Sequence, residues 1–177
     1  MFDLATQIQL RCLLEFAWQD VTKIYLTSRI NSERSLQACL FERLSSQLSS
    51  DQVLLCEPSI NVSGIAMFPD LIILNDGKVQ AVLELKFVPH HYPTLEDLGK
   101  LMKYGSFTSS FPLLLNSKTG KYTEERFVFA PDCLLVFAVV GQHDSKAVDQ
   151  SAVMQEMSAF DTRFMHLSLA IGTNSQD

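Results

Sequence analysis

Apolar residues recur at helical spacing over residues 4–27, LATQIQLRCLLEFAWQDVTKIYLT. Leu10, Leu13, Leu14, Ala17, Trp18 and Val21 share one side and predict an amphipathic helix. A second stripe steps by four through Leu36, Leu40, Leu44 and Leu48, behind Ser32, whose hydroxyl suits an N-cap. It predicts a helix from about Glu33 to about Leu48. The period then changes. QVLLCEPSINVSG reads as one or two short strands interrupted at Pro58, which has no N–H for a ladder. FPDLIILNDGKVQAVLELKF, residues 68–87, predicts two strands joined by a tight turn at NDG. Helical spacing returns in PTLEDLGKLMKYG, with Thr94 as N-cap, Asp97 three residues on, and Gly105 closing the helix. Residues 106–125 show no clear period and predict an extended loop. CLLVFAVV is a β-rich run of the kind covered on both faces. KAVDQSAVMQEMSAF predicts a further helix, Phe164 to Ile171 a last strand, and GTNSQD a frayed tail.

The order ααβββαβαβ predicts an α/β fold: a single domain with a mixed central sheet flanked by helices. No repeat, low-complexity tract or linker divides the chain. Within that one domain, residues 1–30 read as an N-terminal helical extension and 32–141 as the core. Residues 142–177 supply a C-terminal helix and a possible strand.

Composition narrows the function classes. With 177 residues, 47% of them apolar and 19% charged, the chain can bury a core and is not a disordered polymer. The longest apolar run, Cys133–Val140, is too short to cross a bilayer, and MFDLATQIQL lacks the basic start of a signal peptide. A cytoplasmic protein with no membrane partner is the expectation. Cys12, Cys39, Cys56 and Cys133 lie far apart, as reduced thiols do and zinc ligands or a disulfide framework do not. The adjacent His90 and His91 do not suit two ligands on one helix face and read as loop residues. A net charge of −6 rules out phosphate neutralisation by bulk charge; any grip on nucleic acid has to be local or borrowed from a partner.

The hairpin holds charges that its apolar setting does not explain. Asp70, Glu84 and Lys86 stand among Ile, Leu and Val, where charges survive only when paired or bound to metal. The turn decides their geometry. A two-residue loop at Asp76-Gly77 sets Asp70 opposite Leu83, on the side away from Glu84. A three-residue loop, Asn75-Asp76-Gly77, sets Asp70 opposite Val82, so that Asp70, Val82, Glu84 and Lys86 share a face and Leu83, Leu85 and Phe87 share the other. The second register is favoured because it does not bury Asp70 among leucines, although a bulge would alter the parity. Carboxylates this close repel and call for a cation; oxygen donors favour Mg²⁺ or Mn²⁺.

Pro69-Asp70, thirteen residues, then Glu84-Leu85-Lys86 resembles the PD-(D/E)xK, or restriction-endonuclease-like, nuclease superfamily. Both motif parts lie on consecutive strands of a hairpin, after a helix and before a helix and a strand, similar to that family's αβββαβ core. The resemblance implies a metal-dependent nuclease in which Asp70, Glu84 and the Leu85 backbone carbonyl bind Mg²⁺ or Mn²⁺. Glu33 completes the set, with Glu42 a lower-ranked alternative, and Lys86 orients or activates the attacking water. Lys100 and Tyr104, at i and i+4, and Gln37, one turn after Glu33, are candidate substrate-binding residues. Nucleic acid is the implied partner, DNA ranked ahead of RNA. The alternative is a non-catalytic binding or assembly module in a complex, meeting a protein partner or a second copy through the leucines of the 106–125 loop. A hydrolase of small phosphorylated substrates is a minor third reading, since no Gly-rich phosphate loop supports it.

Overall fold

Leu4–Leu26 forms helix α1 and Glu33–Ser45 forms helix α2, as the two apolar stripes predict. A computed structural model describes residues 4–88, 94–116, 122–142 and 161–171. The predicted helix over KAVDQSAVMQEMSAF, the His90–His91 pair and the GTNSQD tail lie outside the described residues. Ser32 caps α2: its hydroxyl accepts from the Ser35 N–H, and the Ser35 side chain answers to the Ser32 backbone. Leu36, Leu40 and Leu44 are fully buried, and Leu48, beyond the helix end, packs on the same cluster.

Strands β1 (Gln52–Cys56), β4 (Leu71–Asn75) and β5 (Lys78–Phe87) run as an antiparallel meander. Between the first two, β2 (Ile60–Val62) and β3 (Ile65–Met67) form a separate two-stranded hairpin, of which the sequence pattern showed only the first half. Helix α3 (Leu95–Tyr104) follows β5, then β6 (Phe111–Asn116), the long β7 (Tyr122–Gln142) and β8 (Phe164–Ile171). The main sheet has the order β1-β4-β5-β7-β6, with β8 also on β7. β7 is parallel to β5 along one edge; on its other edge the first half is antiparallel to β6 and the second half parallel to β8. Its register against β5 slips between Phe129 and Leu134, around Pro131, where a ladder N–H is missing.

The expected loop over 106–125 is therefore corrected. Phe111–Asn116 is a strand paired with the start of β7, and residues 117–121 lie outside the described residues. The signal was weak for a physical reason. Pro112 interrupts the first run, and Thr123 to Arg126 are all exposed, so no buried alternation marks them.

The sheet separates two cores. On one face α1 and α2 cover Leu71, Ile73, Leu83, Leu85, Val136 and Ala138. On the other, α3 and β2 cover Ile72, Leu74, Val82, Leu135 and Phe137. Arg163 clamps the far end of α3: it donates to the Gly105 carbonyl at 2.9 Å while bridging to Asp161 at 2.7 Å. A cation there also suits the helix C-terminus. Where β5 ends, Val88 donates to the Val140 carbonyl, and Gly141 (φ +156°) lies so near that a Cβ there would stand 2.5 Å from the Val88 carbonyl oxygen. Among the described residues no helix is long and apolar enough to cross a membrane.

Candidate functional site

The β4–β5 turn has two residues, Asp76 (φ +47°) and Gly77 (φ +68°), with Asn75 paired to Lys78. That is the mirror-image turn whose twist matches paired strands. The expected three-residue loop is thus corrected, yet its consequence survives. The register slips by one residue at Gln80, because Leu74 pairs with Val79 while Ile73 pairs with Ala81. The bulge restores the parity that the shorter turn removes. One step beyond the Leu71–Leu83 pair, Asp70 lies across from Glu84. Asp70, Glu84 and Lys86 consequently share the face of Ile72 and Val82, while Leu83, Leu85 and Phe87 pack on the other.

Asp70 is fixed by both its backbone and its side chain. Its carbonyl accepts from the Glu57 N–H at 2.9 Å and from the Gln37 amide at 3.1 Å. Its Oδ2 accepts from the Leu85 N–H at 2.6 Å, across the strand pair. Glu57, just after β1, holds a left-handed backbone (φ +47°), uncommon for a residue with a Cβ. Burial lifts the Asp70 carboxyl to about 7; the Glu84 charge pushes the same way, the Leu85 hydrogen bond and Lys86 oppose, and Glu33 adds to the rise. Glu84 is also raised, first by burial and further by Asp97 and Glu33, against the pull of Lys86.

Lys86 lies between carboxylates. Its ammonium is 2.8 Å from Glu84 Oε1 and 3.6 Å from Asp97 Oδ1. Burial disfavours its charge, but Glu84, Asp97 and Glu33 together hold its pKa above the ordinary lysine value. A buried ammonium without these partners would lose its proton or leave the site.

The remaining sequence candidates divide. Glu33, first residue of α2, acts electrostatically on Asp70, Glu84 and Lys86, so the topology brings it toward the cluster. Gln37 is buried and spends its amide on Asp70 and Glu57, tying α2 to the strand that carries the motif. Tyr104 is buried with its ring 5.8 Å from Phe129, and burial, Glu84 and Asp70 together push its hydroxyl pKa up. Lys100 is turned outward and pairs with Glu96 at 3.2 Å, so the i, i+4 spacing does not aim it with Tyr104. Asp97 is the participant that sequence reasoning used only as a capping residue. Its signal was there: it opens the helix that follows the motif strand.

The donor set suits a hard divalent ion in kind, since Asp70, Glu84 and the Leu85 carbonyl offer oxygen alone. Burial, which makes two neighbouring carboxylates costly, is relieved by a cation between them. Among the described residues, however, no three His, Cys, Asp or Glu side chains converge closely enough to share a metal. Glu84 is engaged by Lys86, and Asp70 by a backbone N–H. An ion there would need backbone or water oxygens besides the two carboxylates, and a change at Lys86. Compared with protein-family models, curated proteins and solved structures, the chain matches none of them.

Proposed function

We propose that this chain is a Mg²⁺- or Mn²⁺-dependent nuclease of the PD-(D/E)xK kind, hydrolysing phosphodiester bonds of nucleic acid. The observation that carries it is the alignment of Asp70 beside Glu84 and Lys86, largely buried on one face at the open end of a hairpin. The surroundings support the same reading. A helix, a three-strand meander, a helix and a parallel strand (α2, β1, β4, β5, α3, β7) follow the order of that family's core, with the β2–β3 hairpin and β6 inserted. A bound divalent ion would polarise the phosphoryl oxygen and lower the pKa of a bound water. Asp70, Glu84 and the Leu85 carbonyl would hold it, and the backbone hydrogen bond from Leu85 keeps the Asp70 carboxylate in place. Lys86, tethered two residues from Glu84 on one strand, steadies the attacking water and the charge that grows on phosphorus. Tyr104 and Glu33 border the cluster, and Lys100 lies on the exposed side of α3 where a strand of DNA could lie against it.

The test is Mn²⁺-dependent cleavage of plasmid DNA and of RNA by the parent chain, Glu84→Ala and Lys86→Ala. Each substitution should lower the rate by on the order of a hundredfold or more. Variants that cut as fast as the parent would overturn the mechanism. One observation favours a second reading, a non-catalytic binding module: Phe68, two residues before Asp70, is 65% exposed, and Ile65, three residues earlier in the chain, is exposed as well. A chain that binds no Mn²⁺ and cuts neither DNA nor RNA would decide for that reading.

A further inference from the structure

Asp97 meets two demands with two oxygens. Oδ2 accepts from the Thr94 backbone N–H at 2.9 Å and from the Thr94 hydroxyl at 2.7 Å, completing the capping box of α3. Oδ1 stands 3.6 Å from the Lys86 ammonium, the two side chains only 14% and 10% exposed. Capping needs one acceptor oxygen, and a neutral side chain can provide it. A full carboxylate whose second oxygen faces a nearly buried ammonium is not explained by capping. Glu84, 2.8 Å away, is the nearer partner of Lys86, so Asp97 supplies a second carboxylate to an ammonium that is already paired.

We infer that Asp97 is a positioning residue that gives the Lys86 ammonium a second seat, taken up when a divalent cation claims Glu84. The inference rests on the function proposed above. The ammonium occupies one of the two Glu84 oxygens at 2.8 Å, and a divalent ion on the same carboxylate would repel it in a site with little water to screen them. That repulsion pushes the ammonium off Glu84, while its role keeps it near the water it serves. Moving from 3.6 Å to the roughly 2.8 Å of a charge-assisted bond is a shift of about 1 Å, within reach of a lysine side chain. The capping box holds the Asp97 carboxylate in place beforehand, so the second seat exists before the metal arrives. Asp97 thereby links the first turn of α3 to the charge state of the motif strand.

The experiment is Mn²⁺ calorimetry on the parent, Asp97→Asn, Lys86→Met and the double variant, with metal-free melting curves for each. Asparagine retains an oxygen for Thr94, so the cap persists while the negative charge is lost. Asp97→Asn should bind Mn²⁺ about tenfold more weakly than the parent, because the ammonium then remains on Glu84. In the Lys86→Met background the same substitution should change affinity by no more than about twofold, since no ammonium remains to be moved. Equal losses in both backgrounds, or no loss in either, overturn the second-seat role and leave the metal site standing. A parent that binds no Mn²⁺ overturns the proposed function and this inference together. A measurement on the unaltered chain guards against a variant that fails to fold. The Lys86 ammonium ¹⁵N resonance, followed during Mg²⁺ titration, should move as the ion binds; an unmoved resonance alongside a measurable heat of binding overturns the exchange.

Discussion

Replacing Asp70 by asparagine should make the metal-free protein more stable, an effect opposite to the usual result of removing a hydrogen-bonded buried residue. The carboxyl is lifted from its ordinary 3.8 to about 7 by burial and by Glu84. Each tenfold step in an ionisation constant is worth about 1.4 kcal/mol, so keeping Asp70 ionised in the folded chain costs about 4 kcal/mol at the limit. Residual exposure of the carboxylate screens part of this, leaving a net gain of about 2 kcal/mol for Asp70→Asn. The pH window follows from the sign. Below about pH 4 both folded and unfolded chains hold the proton, and the variant has no advantage. Between 4 and 7 the unfolded chain releases its proton while the folded chain retains it, so parental stability falls with rising pH. Above about 7 the whole penalty is present. Urea denaturation of both proteins at pH 5 and pH 8, without metal and with chelator, measures the difference. The advantage of Asp70→Asn at pH 5 should be less than half that at pH 8. A variant that is less stable at pH 8, or equally favoured at both pH values, would refute the reasoning. Added Mn²⁺ should then reverse the order, raising the parent's midpoint and leaving the variant's unchanged.

Two further outcomes test the supports of the site. Gly141→Ala places a Cβ 2.5 Å from the Val88 carbonyl oxygen at φ +156°, so it should destabilise the fold by about 3 kcal/mol or more, read as a lower denaturation midpoint. Gln37→Leu fills similar space but leaves the Asp70 carbonyl with one donor fewer; a loss of about 1–2 kcal/mol and weaker Mn²⁺ binding are expected by denaturation and calorimetry.

The motif was legible because its chemistry is local. Asp70, Glu84 and Lys86 are charges within apolar strands, and the penalty on such charges makes them conspicuous in one dimension. The stripes of α1 and α2, the Ser32 and Thr94 caps and the span of β8 were legible for the same reason: each follows from the period or capping chemistry of a short segment. The 106–125 segment was not, because β6 and the start of β7 gain their strand character from one another. Thr123 to Arg126 are exposed on both faces, and nothing along the chain announces the partner strand.

Sequence by itself determined which residues could do chemistry and which faces had to be buried. Tertiary structure alone decided how those residues stand to one another. It replaced the inferred turn by a shorter one and recovered the parity with a one-residue slip at Gln80, a balance of turn geometry against strand pairing that no single segment encodes. It also turned Lys100 outward to Glu96, committed Gln37 to the Asp70 backbone, and carried Asp97 across the β5–α3 connection to face Lys86. The reason is one of range. Periodicity and capping act over a few residues, whereas a pairing such as Lys86 with Asp97 exists only after a strand and a helix have packed on the same face of a sheet.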